Sequence, residues 1–428
     1  MGNKSFMKFL VLWTGQLLSS LGSGMTAFAL GVYVFRKTGS ATDSALIILF
    51  LFLPSIILKP LGGVLADRFD RRVMIIIGDT GSAGGVLFLM ITMLTGDINL
   101  LEIYSGVAII STFAALQNPA WKASITDLLT EDQFSRGSGL MQLASSAQHL
   151  ISPVMAGLLM SITDIKTILL IDLVSFFTAI LSVLVIKKSL TPAEKNCEHS
   201  LIHDFREGWR SVTSNNGVML LIAVISIVTF FIGFLQTLLG PMILSFTDAG
   251  TLGISQSAAA SGMLLSSLIL GIIAVTCKHT FMFTAGLVLA GGSFSLIGVT
   301  TNIYFITGAA FLFFCSLPLV NTSADVLIRK NIPNEIQGRA WGIIGVLSQI
   351  GFIAAYGISG LLADNIFNPI MNKDGALAAS AGKIIGTGPG RGIGLMFVIS
   401  GICVVITAVM TIRIRSVRNL EKNDLLAN

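Results

Sequence analysis

The chain has 428 residues, of which 53% are hydrophobic and only 11% charged, with a formal net charge of +5 and a mean hydropathy of +0.84. Soluble domains carry about a quarter charged residues, so the composition excludes a water-facing surface and points to repeated crossing of a lipid bilayer. The positive balance does not indicate a nucleic-acid partner, because the basic residues sit at the ends of apolar runs.

A spanning helix takes about 20 mostly apolar residues, and long unbroken runs such as Ala223–Leu239 favour helices over the alternating strands of a membrane barrel. In chain order the predicted spans are 9–35, 44–66, 73–95, 100–121, 134–161, 165–186, 217–246, 255–276, 280–299, 303–328, 338–363 and 392–414. The first is too long for a signal-peptide core and lacks a small-residue cleavage site, so it reads as a span. With both termini inside, twenty Lys and Arg fall on the cytoplasmic side, six outside and Lys59 within a span. That asymmetry predicts cytoplasmic termini. By this topology Cys197 and Cys277 face the cytoplasm while Cys315 and Cys403 lie inside spans, so no disulfide framework is expected.

The expected organisation is a six-helix bundle over 1–188, a cytoplasmic linker over 189–216 and a second six-helix bundle over 217–428. Leu201, Phe205, Trp209 and Val212 share one helical face of the linker, the pattern of a short interfacial helix; an ordinary linker is the alternative. Cys197, His199 and His203 there are too few soft ligands to predict a metal site. The halves echo each other at one offset. Arg136-Gly137 matches Arg339-Ala340, and Ala156-Gly157-Leu158-Leu159 matches Ser359-Gly360-Leu361-Leu362. Such duplication is how many secondary transporters are built.

Between spans 2 and 3 stands Gly63-Val64-Leu65-Ala66-Asp67-Arg68-Phe69-Asp70-Arg71-Arg72. This resembles the signature loop Gly-x-x-x-Asp-Arg-x-Gly-Arg-Arg of the major facilitator superfamily, with Asp70 in place of its second glycine. The second-half copy falls near Gly271 to Lys278 and has lost its acid. Ser152-Pro153-Val154-Met155-Ala156-Gly157 resembles the Gly-Pro-x-x-Gly-Gly antiporter motif of drug exporters, with Ser and Ala replacing two glycines. Trp13-Thr14-Gly15-Gln16, Lys37-Thr38-Gly39-Ser40, Ile151-Ser152-Pro153 and Gly338-Arg339 are most similar to the macrolide-efflux branch. The resemblance implies an all-α membrane protein with twelve spans in two pseudo-symmetric bundles. It also implies a bacterial inner-membrane location and drug:proton antiport.

The same resemblance implies an inner gate of Gly63, Asp67, Arg68, Arg71, Arg72, Arg136 and Arg339, with Asp325 and Arg329, four apart in span 10, as a gating or helix-stabilising pair. Asp67 faces the level of the positive end of span 11, so Asp67→Asn is expected to loosen the gate. A purely topological charge cluster is the plainer reading. Charged residues within spans are functional candidates by default. Lys59 and Asp79 sit at similar depth and could pair, although Lys59 can also snorkel to the interface. Asp79, Asp172, His149 and Lys59 are the proton-coupling candidates, and each acid is equally readable as a structural hydrogen-bonding group. Spans 1 and 7 contain no acid.

Spans 1, 4, 7 and 10 line the central cavity in the family. That implies substrate contacts from Gln16, Met25, Phe113, Gln117, Phe231, Phe234, Gln236 and Phe314, with Gln148 from span 5 and Gln349 from span 11. Aromatic and methionine surfaces with a few amides suit amphiphiles of variable shape, though the phenylalanines could equally face lipid or packing partners. The chain lacks His-Glu-x-x-His and Gly-x-Ser-x-Gly, and its Gly386-Thr387-Gly388-Pro389-Gly390 stretch has no P-loop lysine, so neither an enzyme nor ATP coupling is expected. No cofactor or metal is implied. The expected function is proton-coupled export of amphiphilic, macrolide-like molecules by a monomer. Export of an endogenous siderophore, lipid or metabolite is the alternative within the class, and a membrane sensor, scaffold or channel the alternative outside it.

Overall fold

The structure is a computed structural model that describes residues 2–130, 133–186, 209–210, 213, 216–272, 278–332, 337–414, 417 and 420. Only the backbone is described for residues 2–5, 59–60, 63–64, 66–68, 125–127, 135, 138, 271–272, 330 and 337–342. Among the described residues, twelve helices are long and apolar enough to cross a membrane. They are α1 (Gly2–Thr38), α2 (Ala41–Arg68), α3 (Arg71–Thr95), α4 (Leu100–Leu128), α5 (Phe134–Ile162) and α6 (Ile165–Val185). The second six are α7 (Asn216–Leu244), α8 (Ala249–Ile272), α9 (His279–Val299), α10 (Ile303–Asn331), α11 (Gln337–Leu362) and α12 (Arg391–Arg413). No strand occurs among the described residues, as the unbroken apolar runs predict. Helices satisfy every backbone polar group within themselves, which a lipid environment demands.

Polar residues at the turns set the helix starts. The Ser40 side chain accepts from the Asp43 N–H at 3.1 Å at the start of α2. Asp164 accepts from Ile165 N–H at 2.7 Å before α6, and Asn302 from Tyr304 N–H at 3.0 Å before α10. Each supplies one acceptor to a helix end that has unused donors. Gly39, at φ +68°, lets the chain reverse between α1 and α2. Beyond α11 the chain continues through a π-helical turn, Ala363–Phe367, and two short helical turns, Asn368–Ile370 and Gly382–Ile385.

The chain divides into two compact units, residues 1–196 with 248–257, and residues 197–247 with 258–428. In the first, α1 packs on α5 and α6, α3 on α4 and α6, and α2 on α4. In the second, α7 packs on α11, α9 on α10 and α12, and α12 on α7. Pairing of α1 with α5 therefore recurs as pairing of α7 with α11, the internal echo that the 203-residue offset announces in the sequence. Small residues carry the closest crossings, as in membrane helices generally. A Cβ at Gly291 of α9 would stand 2.6 Å from the Gly401 carbonyl oxygen of α12, and one at Gly394 equally close to the Gly298 carbonyl.

Two apolar clusters build the core of the first unit. One holds Phe9, Leu12, Ile75, Trp121 and Val183, with Phe9 and Trp121 stacked at 6.1 Å. The other holds Met25, Leu30, Val86, Leu89, Ile103, Ile168 and Phe176. Outward-facing positions are also apolar. On α6, Leu170, Val174, Phe177, Leu181 and Val185 form one exposed stripe at helical spacing. Such a stripe is stable against lipid, not water.

The predicted linker helix and the Cys197, His199 and His203 group lie outside the described residues except at Trp209 and Arg210, both helical and exposed. Most of the second-half loop copy, from Ile273 to Cys277, lies outside them too. Cys315 and Cys403 are free thiols in α10 and α12.

Candidate functional site

A chain of amides ending on a carboxylate crosses three helices of the first unit. Gln117 of α4 donates from Nε2 to Gln16 Oε1 at 2.7 Å. Gln16 of α1 donates in turn from Nε2 to Asp79 Oδ2 on α3 at 2.9 Å. Asp79 is 3% exposed, and Gln16 and Gln117 are buried beside it. Its place follows from the register of the apolar residues. On α1 Gln16 falls between Leu12 and Met25, on α3 Asp79 falls between Ile75 and Val86, and on α4 Gln117 falls between Val107 and Trp121. The polar chain thus occupies the layer between the two apolar clusters. Gly78 makes the approach possible, since a side chain there would overlap Gln117.

Asp172 of α6 is different. It is 1% exposed and accepts from three hydroxyls: Thr26 at 2.6 Å, Ser23 at 3.2 Å and Ser175 at 3.3 Å. Gly22 brings α1 close enough for this, because a Cβ there would stand 2.8 Å from Asp172 Oδ1. The hydroxyls satisfy the buried carboxyl group. The arrangement pins α1 to α6.

The predicted gate is described in part. Arg71 Nη1 donates to the Ala123 carbonyl at 3.0 Å, tying α3 to α4. Arg72 Nε lies 3.3 Å from Asp70 Oδ1, and Asp70 also accepts from the Arg72 N–H at 2.9 Å as the N-cap of α3. The residue replacing the motif's second glycine is therefore a helix cap. Arg136 lies over the Phe6 ring at 4.7 Å. Asp325 and Arg329 are both exposed, one turn apart on α10. The side chains of Asp67, Arg68, Lys59 and Arg339 lie outside the described residues, and Gly63 is described only as helical backbone. Among the described residues Asp79 accepts from Gln16, and the expected pairing with Lys59 lies outside them.

On α5 the Ser152 hydroxyl donates to the Leu21 carbonyl at 2.9 Å, and a Cβ at Gly24 would stand 2.6 Å from the Ser152 hydroxyl oxygen. Small size at this motif thus serves close packing of α5 on α1. Gly157 performs the same task against the start of α8, where its Cβ would stand 2.5 Å from the Ala249 carbonyl oxygen. Gln148 is partly buried and packs against Gly24, while His149 is exposed.

The candidate substrate contacts divide. Met25, 2% exposed, packs in the apolar cluster with Leu30, Val86 and Phe176, and Phe113 lies over Gly81. Both side chains pack within the first unit. In the second unit Phe231, Phe234 and Phe230 cluster on α7 with ring centroids 4.8 to 6.3 Å apart. Tyr356 of α11 donates its hydroxyl to Gln236 Oε1. Gln349 carries a buried amide oxygen without a hydrogen-bond partner, and Phe314 stands edge-on to Phe313. The sequence reading missed Tyr356, the hydroxyls of Ser23, Thr26 and Ser175, and the Asp70 cap. The serine and threonine pattern along α1 and α6 was the available signal for the hydroxyls.

The sequence profile of the Major Facilitator Superfamily matches residues 12–356. The chain belongs to the Major Facilitator Superfamily. Macrolide efflux protein A of Streptococcus pyogenes is 27% identical over 368 residues, covering 84% of this chain and 90% of that protein. The enterobactin exporter EntS of Shigella flexneri is 24% identical over 158 residues, 37% of this chain and 38% of that one. Among solved structures, the nucleoside transporter NupG superposes with a TM-score of 0.76 at 13% identity, over 94% of this chain and 99% of that one, a likeness of fold. The superfamily consists of transporters, so this is a multi-pass membrane transporter and not an enzyme.

Proposed function

We propose that the chain is a secondary exporter of amphiphilic, macrolide-like molecules, working by alternating access and driven by protons that enter through Asp79. The observation that carries the coupling is the Gln117–Gln16–Asp79 chain, whose carboxylate is buried against neutral amides. Asp172, held by three hydroxyls, is the structural acid. Ionised Asp79 accepts from Gln16. When the proton sits on Oδ2, the atom that Gln16 bonds, Asp79 becomes a donor there, and Gln16 turns its amide to present oxygen, with Gln117 following. One proton thereby re-orients two amides on α1 and α4, the helices that line the cavity in this superfamily. Direction and substrate class rest on the likeness to macrolide efflux protein A. The gate of Asp67, Arg71 and Arg339, the cytoplasmic termini and monomeric action complete the reading.

The test is accumulation of a macrolide and of a lipophilic cationic dye in a pump-deficient bacterium, with and without a protonophore. Lower accumulation reversed by the protonophore supports the proposal, and no change for either compound counts against it. The partial likeness to the enterobactin exporter favours one second reading, export of a siderophore. Siderophore release from the same cells distinguishes it.

A further inference from the structure

Arg391 begins α12 and is 2% exposed. Its Nη1 donates to the Ile385 carbonyl at 3.1 Å and reaches the Gly298 carbonyl at 3.5 Å. Its carbon Cζ stands 6.0 Å from the Phe246 ring centroid. Nε and Nη2 are buried with no hydrogen-bond partner. Among the described residues no carboxylate lies within ion-pair distance of it. A guanidinium cannot shed its proton to escape this situation, and a buried charge is held in proteins by an opposite charge or a full set of hydrogen bonds.

The helix end makes the surroundings more positive still, and a further polar atom near it is unsatisfied. The N-cap of α12 is Gly390, at φ +73°, with no side-chain cap, so the positive end of a 23-residue helix is left without an acceptor from its own cap. Asn368, which abuts Gly392 in the first turn, carries a buried amide oxygen that also lacks a partner. Gly386 and Gly394 flank the arginine, with Cβ positions 3.3 Å from Cδ and 3.6 Å from Cζ, so no larger side chain crowds it.

The geometry points to a small monovalent anion of the halide class bound to Nε and Nη2 of Arg391, at the start of α12. The burial favours a compact ion over a lipid headgroup, and the two parallel N–H groups suit a single acceptor shared between them. Such an ion would hold segment 371–390 to the ends of α9 and α12, a structural task separate from export.

The test uses the full-length protein in detergent. With gluconate exchanged for chloride at constant ionic strength, the unfolding temperature is expected to rise and level off as a binding curve, and to stay flat in Arg391→Gln. Should that variant fail to fold, a bromide soak of unaltered crystals decides, with an anomalous peak expected within hydrogen-bond distance of Nε and Nη2. A flat chloride response in the unaltered protein would overturn the assignment. So would density for water alone without an anomalous signal, or an elongated phosphodiester at that position.

Discussion

Gln16 of α1 donates to Asp79 of α3 at 2.9 Å, the bond through which the proposed protonation of Asp79 would reach a second helix. Asp79→Asn removes the charge and the titration but keeps the shape. The expected result is loss of concentrative, protonophore-sensitive efflux to the level of cells without the protein, with expression and unfolding temperature little changed. Gln16→Leu removes the donor alone. A hydrogen bond to a charged group contributes about 1.5–3 kcal/mol, so efflux should fall by roughly ten- to a hundredfold. Drug accumulation in energised cells reads both variants, and full efflux by Asp79→Asn would remove Asp79 from the coupling path.

Asp172 should behave in the opposite way, because Ser23, Thr26 and Ser175 surround it with donors. Asp172→Asn keeps one acceptor and should retain efflux at a cost of about 1 kcal/mol in stability. Asp172→Ala removes the acceptor of Ser23 and Thr26, while Ser175 keeps its 2.6 Å bond to the carbonyl of residue 172, and leaves a void, for a loss of roughly 2–4 kcal/mol. Thermal unfolding in detergent together with efflux separates the two acids. Complete loss of efflux by a normally stable Asp172→Asn would reverse their roles.

Fold and site differ in how far the chain announces them. Spans, caps and small-residue crossings follow from local pattern, since twenty apolar residues, a Ser40 or Asn302 before a helix and a Gly at a contact each act where they stand. Asp79 and Asp172 were both conspicuous as embedded acids, yet what distinguishes them lies on other helices. Gln16 is 63 residues from Asp79 and Thr26 is 146 from Asp172, separations at which no periodicity speaks. Matching depth suggests a Lys59–Asp79 pair, but depth alone does not give facing. Met25 and Phe113 were chosen for chemistry suited to amphiphiles, but the same apolar chemistry fills the core of the first unit and covers Gly81.

The glycines of α1 allow a sharp internal comparison. At Gly22 a Cβ would stand 2.5 Å from the Ser175 hydroxyl oxygen and 2.8 Å from Asp172 Oδ1, whereas at Gly31 it would meet nothing within 4 Å. Gly22→Ala must therefore push α1 from α6, for a loss of about 1–3 kcal/mol. Gly31→Ala should be neutral or stabilising by up to about 1 kcal/mol through helix propensity. Unfolding temperatures of the two variants in one detergent give the answer, and equal effects would mean that the α1–α6 approach does not matter.

Asp248 gives a pH dependence of defined sign. It is exposed and stands just before α8, where it accepts from the Thr251 N–H at 2.9 Å and from the Thr251 hydroxyl at 3.0 Å. These bonds, the backbone amide foremost, hold its carboxyl below the usual carboxylate range. A carboxyl depressed in the folded state adds stability above its unfolded pKa, about 3.9, and that stability is lost as pH falls through the lower folded value. Replacing such a cap by alanine costs about 0.5–1 kcal/mol when it is exposed. Asp248→Ala should thus lower the unfolding temperature at neutral pH, and its gap from the unaltered protein should shrink as pH drops below about 3.9. Asp248→Asn keeps an acceptor for the Thr251 amide, so it should lie between the two at neutral pH and converge with the unaltered protein in acid. A gap for Asp248→Ala that is constant across that range would show that the ionised carboxylate contributes nothing to the start of α8.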